Sequence, residues 1–484
     1  MLFNSLQFLV FFPVVFLLYW ALPHRGRKYF LLAASYYFYM CWKPEFIVLI
    51  LYSTAVDYFC ALGMERRAEQ KKLFLAVSLT MNLGLLFFFK YFNFFGATLT
   101  ALCRAVSIPF SAPVLDIILP VGISFYTFQT LSYTIDVYRG KMKPEHDFLY
   151  FALFVSYFPQ LVAGPIERAE ELLPRLKAEH RFDYGRAAHG ARLVAWGFFK
   201  KCVCAAYLGA LVDKVYSNVG GYGGGAAAFA TAAFALQIYC DFGGYSDIAR
   251  GCSELLGVEL TVNFKSPYFF SHSIGEYWKR NHISLTNWFQ EYVYIPLGGS
   301  KKGFCRKIVN IWIVFFLSGL WHGAGWTFAV WGLLQALYIS IEQVWARYRA
   351  VTPNKNQCGR CCGVLMVLRT FVLSCISLVF FRADTMADAL TPLRAAVTGL
   401  AHPRAYLRDA YYLLLSDGAW AALFTVLSVA VLLAVDALDE KTDAMEAVGR
   451  LRPIVRYPLY AVFLVGMVLL IPKHASAPFI YFQF

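Results

Sequence analysis

Charge is what this 484-residue chain has least of: only 15% of its residues are Asp, Glu, Lys or Arg. A soluble protein of this size carries about a quarter. That scarcity argues against several water-soluble domains, which length alone would otherwise suggest. Glycine and proline are too few for a fibrous or disordered chain. No repeat period and no low-complexity tract is evident, which excludes a solenoid or array. Acidic residues are the scarcer sign, at 30 against 44 basic ones, leaving a formal charge of +14. A nucleic-acid partner is nonetheless not expected. The basic residues sit in short loops between apolar runs, as the positive-inside bias places them. The twelve cysteines are scattered, mostly within apolar segments, so they form no disulfide framework. Cys358, Cys361 and Cys362 cluster in a polar loop, but a zinc site needs further ligands at matching spacing and none is nearby. No metal is expected.

What is abundant is apolar: 59% of residues are hydrophobic and 18% aromatic. Runs long enough to cross a bilayer, about 20 residues each, recur along the chain. They predict an all-α polytopic membrane protein, one embedded bundle over residues 1–484, surrounded by membrane lipid. The run Leu2–Leu22 has no basic residue before it and no small-residue cleavage site after it, so it reads as a first membrane helix rather than a signal peptide. Arg25, Arg27 and Lys28 follow at once, which places that loop in the cytoplasm and the N-terminus outside. Further spans are expected near 29–42, 45–63, 73–95, 114–135, 148–164, 191–213, 225–240, 308–321, 324–345, 364–381, 419–437 and 456–472. Some need not cross fully, so about eleven crossings are expected. Basic groups at Arg66, Arg67, Lys71, Lys72 and at Arg139, Lys141, Lys143 fall on the same side as the first. Residues 400–418 are polar enough for a loop or surface helix.

The least membrane-like stretch of the middle is 241–307. Ser273-Ile-Gly-Glu276 has the form of a capping box and predicts a helix start. Continued past it, that helix puts Trp278, His282, Leu285, Phe289 and Tyr292 on one face. Glu276, Lys279, Arg280 and Glu291 carry too much charge for a lipid-exposed span. A short amphipathic or re-entrant helix packed into the bundle is expected, ending at Pro296-Leu-Gly-Gly.

Among nine histidines, His24, His146, His180, His189, His402 and His474 fall in polar loops or at span ends and read as solvated. His322 opens the apolar run after SGLW, with Ser318 at i−4 and Trp326 at i+4. It reads either as a structural histidine bonded between helices or as a general base. Burial favours the neutral imidazole that a base requires. Gly323, Ala324 and Gly325 keep the neighbourhood small, so that a substrate or another helix can approach. Asp241 and Asp247 read as helix-end carboxylates, or as substrate ligands or a proton path. Lys301, Lys302, Arg306 and Lys307, between the two histidines, read as topological anchors or as a landing surface for an anionic donor.

The motifs WHGAGWTFAVWG at 321–332 and YWKRNHISLTNWFQEYVYIPLGG at 277–299 resemble those of the membrane-bound O-acyltransferase family. So do ILPVGISFYTFQTLSYTIDVYRG at 118–140, FPQLVAGPIERAEELLPRL at 158–176, IYCDFGGYSDIA at 238–249, FFRADTMADAL at 380–390 and the terminal FIYFQF. The core of the resemblance runs over about 114–390. The IPLGG and WHGAGW versions look most like the alginate O-acetyltransferase branch; the teichoic acid D-alanyl branch shares the layout but usually lacks GAGW. The resemblance implies a ring of helices around a thinned core, funnelled on both sides. It implies His322 as the catalytic histidine and His282 as the second. It implies transfer from a cytoplasmic acyl thioester such as acetyl-coenzyme A, used as substrate with no bound cofactor, to an extracytoplasmic polysaccharide. It also implies a partner of the SGNH-hydrolase type. Asn281 stands where the family more often has an aromatic. Asn281, Trp321, Trp326, Ser318 and Asp241 are candidates to bind substrate or a developing oxyanion. D-alanyl transfer, a transporter using His322 as proton relay, and a non-catalytic scaffold remain the alternatives. Transporters often carry paired internal repeats, and none is evident.

Overall fold

The computed structural model describes residues 1–266, 268–351 and 360–471, with the side chains of 349–351 and 360–362 excluded. Cys358, His474 and the terminal 479–484 motif therefore lie outside the described residues, as do the side chains of Cys361 and Cys362. Every regular element among the described residues is helical. Eight helices are long and apolar enough to cross a membrane: Pro44–Arg66, Ala68–Ala105, Tyr184–Tyr216, Gly224–Leu255, Phe304–His322, Gly363–Arg382, Ala419–Asp439 and Pro453–Leu470. Leu6–Ala21 is a shorter apolar helix. The chain is a multi-pass membrane protein; eleven crossings are not established.

Four further expected spans are not among these eight: 29–42 and 324–345 fall in the helices His24–Met40 and Trp326–Val351, which are not apolar or long enough to be counted, and the other two are interrupted. Residues 106–122 are not helical, and the helix starts only at Ile123. Pro109, Pro113 and Pro120 each remove a backbone donor, and Gly122 is left-handed at φ +75°. The 148–164 run breaks at Tyr157 into Phe148–Ser156 and Phe158–Leu161. Neither piece is long enough to cross alone, and both are buried from Phe151 onward. The 400–418 stretch holds the helix Pro403–Leu414.

The chain divides into two compact units. The first comprises Met1–Val194 and Ile248–Thr261. Its helices 47–66, 71–86 and 123–139 meet around Asp57, which is fully buried. Ser78 Oγ donates to Asp57 Oδ1 at 2.5 Å and Asn82 Nδ2 at 2.9 Å. Ser53 bonds Asn82, and Ser78 bonds Thr134. Where hydrocarbon offers no hydrogen bonds, such polar contacts hold helices together. The basic loops gather at one end of this unit. Lys28 Nζ lies 2.7 Å from Asp147, and His146 Nε2 3.2 Å from Glu65 beside Arg66 and Arg67.

The second unit comprises Ala195–Asp247 and Val262–Phe484. Its centre is a cage of aromatic side chains drawn from the helices 224–255, 274–280, 304–322, 326–351 and 360–382. In the helix 184–216 a π-helical turn, Phe199–Cys204, carries two consecutive buried lysines. Lys200 Nζ is 2.8 Å from Asp247 Oδ2, and Lys201 pairs with Asp241. Charges at membrane depth are tolerated when paired in this way.

Candidate active site

The helix Phe304–His322 ends on His322 itself, because Gly323 turns extended. The chain re-enters a helix at Trp326 and folds back against the first one. Gly319 and Gly332 make that approach possible. A Cβ on Gly319 would collide with the Phe328 carbonyl, and one on Gly332 with that of Phe315. Contact between the two backbones buries His322 to 4% exposure. Its ring centroid lies 4.9 Å from Trp321, 4.9 Å from Trp331 and 5.4 Å from Phe381, all edge-on. Phe381 belongs to the FFRADTMADAL motif, so two motifs far apart in the chain meet here.

His282 arrives by a different device. The capping box forms as expected, with Ser273 Oγ accepting from Glu276 N at 3.0 Å. The helix it starts does not continue through His282, however. It stops at Arg280; Asn281 is extended; His282 is left-handed at φ +45°; and a second helix runs Ile283–Phe289. Asn263 is the cause. Its backbone carbonyl takes Ile283 N at 2.9 Å, and its Oδ1 takes Ser284 Oγ at 2.9 Å and Ser284 N at 3.2 Å. Lys265 N donates to the Arg280 carbonyl at 2.9 Å. A neighbouring segment thus claims hydrogen bonds that a continuous helix would use. His282 Nδ1 sits 3.3 Å from the same Asn263 oxygen. Positive φ is rare in a non-glycine residue, and such strain concentrates at functional sites.

The two histidine rings stand 6.3 Å apart, centroid to centroid. Both line one cavity, walled also by Asn281, Tyr239, Trp278, Trp331 and Phe381. His282 lies outside the eight spans, and burial holds its imidazole well below the ordinary histidine range. It is therefore neutral at physiological pH. Trp331 Nε1 is buried and has no hydrogen-bond partner among the described residues. A buried donor of that kind suits an oxyanion that appears only during reaction. Trp278 is fixed by a strut: its Nε1 donates to Gln335 at 3.0 Å, and Gln335 Nε2 donates to Ser377 at 2.7 Å.

The other sequence candidates divide. Asn281 lines the cavity, and Trp321 packs edge-on against both histidines at 4.9 and 5.8 Å. Ser318 is buried one turn before His322 in the same helix but is not among the cavity walls. Trp326 is not on the face of His322: the break at Gly323 puts it at the head of the next helix, 52% exposed. Asp241 is ion-paired with Lys201 and does not line the cavity. Lys301, Lys302 and Arg306 are exposed, and Lys307 bonds Gln343. At 1.5 Å per residue, the helix sets even Lys307, the nearest of the four, about 23 Å from His322. Trp331, Asn263 and Tyr239 are the residues that sequence reasoning missed. Trp331 carried a faint signal as the third tryptophan of the 318–332 motif.

A family model for the membrane-bound O-acyltransferases matches residues 38–383. The chain belongs to that family. A probable alginate O-acetylase of Pseudomonas aeruginosa is 38% identical over 397 residues, covering 80% of this chain and 73% of the relative. The peptidoglycan O-acetyltransferase of Helicobacter pylori is 32% identical over 435 residues, covering 82% and 80%. The teichoic acid D-alanyltransferase of Bacillus subtilis is 26% identical over 286 residues, covering 54% and 68%. The protein is a membrane O-acyltransferase, and the family segment contains both histidines, Asn281, Trp331 and Phe381.

Proposed function

We propose that this protein is an O-acetyltransferase of the cell membrane. It takes an acetyl group from a cytoplasmic thioester, such as acetyl-coenzyme A, and delivers it toward hydroxyl groups of an extracytoplasmic polysaccharide. The observation that carries the reading is the convergence of His322 and His282 on one aromatic-walled cavity. The relatives named for alginate and peptidoglycan acetylation support the acetyl group and the glycan acceptor. A membrane orientation with the N-terminus outside is supported by the basic loops gathered at one end of the first unit. A partner of the SGNH-hydrolase type on the outer side would carry the acetyl group onward, as the family resemblance implies.

In this reading His322 is the general base. It takes the proton of the acceptor hydroxyl as that oxygen attacks the thioester carbonyl. The tetrahedral oxyanion is met by Trp331 Nε1 and the Asn281 amide. Collapse breaks the C–S bond, and the imidazolium returns the proton to the departing thiolate. The products are an ester and a free thiol. His282, held neutral and oriented by Asn263, positions His322 or the acceptor. Only a small, nearly neutral acyl group crosses the low-dielectric layer, while the charged carrier and the polar glycan stay on their own sides.

The test is transfer in proteoliposomes from radiolabelled acetyl-coenzyme A, with and without an oligosaccharide acceptor. Label that reaches the acceptor only when His322 is present supports the proposal. Solute flux independent of any thioester would replace it with a transporter.

A further inference from the structure

Tyr239 walls the cavity, its ring stacked at 4.6 Å on Tyr268 and edge-on to Phe264 at 6.0 Å. Tyr268 and Phe264 are cavity walls themselves. The Tyr239 hydroxyl donates to Asp436 Oδ1 at 3.0 Å. Ser266 Oγ, from the stretch of chain between Phe264 and Tyr268, donates to the same oxygen at 3.2 Å and also faces the Tyr239 hydroxyl. Lys200 Nζ stands 3.5 Å from that hydroxyl and 4.9 Å from the ring centroid. Its own counter-ion is Asp247, at 2.8 Å. Asp436 is 2% exposed and lies in the last turn of the helix Ala419–Asp439. That helix follows residue 383, where the family match ends.

We infer that Asp436 is a positioning residue for acyl transfer: its Oδ1 ties the Tyr239 ring and the chain at Ser266 together as one wall of the cavity. The inference rests on placing the reaction in that cavity. Lys200, Tyr239 and Ser266 all bring protons to this spot. An ammonium has three donors and no acceptor, whereas a carboxylate only accepts. Asp436 is therefore the group that takes the two hydroxyl protons. Without it the hydroxyls can serve only each other, and one proton is left facing other donors. Relieving that conflict shifts the Tyr239 ring, and with it the stack on Tyr268. The acceptor oxygen matters here rather than the charge, because Lys200 is already paired with Asp247. Among the described residues Asp436 Oδ2 has no hydrogen-bond partner, so both bonds rest on Oδ1. Asp436→Asn keeps that acceptor; Asp436→Leu keeps the approximate volume and removes it.

The experiment measures single-turnover transfer from radiolabelled acetyl-coenzyme A by the full-length protein in liposomes, per molecule folded by gel filtration. Misplacing reacting groups by about 1 Å costs on the order of 10²-fold, so Asp436→Leu should slow transfer by roughly ten- to a hundredfold. Asp436→Asn should restore most of the rate. Tyr239→Phe should also slow transfer, and the double variant with Asp436→Leu should be no slower than the slower single one. A wild-type rate in Asp436→Leu, an Asp436→Asn as slow as Asp436→Leu, or losses that multiply in the double variant each overturn the inference. If Asp436→Leu does not fold, Tyr239→Phe and Ser266→Ala each remove one of the two bonds; both must slow transfer, and unchanged rates overturn it. His322→Ala is measured beside them. If that variant keeps full transfer, the cavity is not the site and the inference falls with it. If it is inactive while Asp436→Leu runs at the wild-type rate, the inference falls alone. Should the wild-type protein transfer from no thioester, near-ultraviolet circular dichroism decides instead: Asp436→Leu must alter the aromatic spectrum and Asp436→Asn must keep it. An unaltered spectrum in Asp436→Leu overturns the positioning role.

Discussion

His322 and His282 are both buried imidazoles, yet the proposed mechanism gives them different work. His322 ends its helix against three aromatic edges and lines the cavity, where the proposed mechanism has it accept a proton. Replacing it with alanine should cost roughly 10²–10⁴ in turnover, the range of a positioned base, with folding intact by gel filtration. Near-normal turnover would remove it from the mechanism. In the proposed mechanism His282, held by Asn263, acts through position, so His282→Gln should slow single-turnover transfer by less. It also makes a prediction about stability. Its folded pKa is depressed, so the unfolded chain binds the extra proton. Stability is then full above the ordinary histidine value near 6.5 and is lost as pH falls below it. The slope approaches about 1.4 kcal/mol per pH unit for one proton. Melting curves across that acidic range should be shallower for His282→Gln than for the wild-type protein. Parallel curves would mean that His282 is not held neutral.

At the scale of elements, two local devices build the site. The first is the close crossing of Phe304–His322 and Trp326–Val351 at Gly319 and Gly332. Each new methyl would meet a backbone carbonyl, which cannot rotate aside as a side chain can. Gly332→Ala should therefore destabilise by about 1–3 kcal/mol, as overpacking does, and should lower transfer by shifting His322 and Trp331 together. A thermal shift below one degree with full activity would refute the crossing as the constraint. The second device is the Asn263 latch on the break between the helices 274–280 and 283–289. Asn263→Ala leaves Ser284 Oγ and its amide without their acceptor, at a cost of about 1–3 kcal/mol. Activity should fall as it does in His282→Gln, and the double variant should be no worse than either single one. Additive losses would show that the latch and the histidine act separately.

Across the whole molecule, the basic stretch at Lys301, Lys302, Arg306 and Lys307 can influence transfer only at a distance. At least about 23 Å of helix separates it from His322, well beyond the screening length of about 10 Å in 0.1 M salt. If it captures an anionic thioester, neutralising all four residues should raise KM at low salt, leave kcat unchanged, and lose its effect as salt rises. Salt-independent kinetics in a correctly inserted variant would leave these residues as topological anchors. Labelling single cysteines placed in the 22–28 and 66–72 loops from each face of sealed vesicles checks the orientation. Both should react only from the cytoplasmic side.

The membrane class, the order of the long apolar helices and the motif that carries His322 were all legible in the sequence. They depend on composition, on run length and on a motif contiguous in the chain. The Ser273 helix start was legible for the same reason, since a cap is a local contact. Tertiary structure alone decided the break at His282, because its cause is Asn263, nineteen positions away. It alone decided that Asp241 and Asp247 belong to Lys201 and Lys200 rather than to the cavity. It also put Trp331, rather than Trp326, beside the histidines. A helical face can be read from spacing only while the helix continues, and Gly323 and Asn281 end theirs at the two points where the site is made. A buried carboxylate and its lysine are matched by packing between helices, which no local pattern encodes.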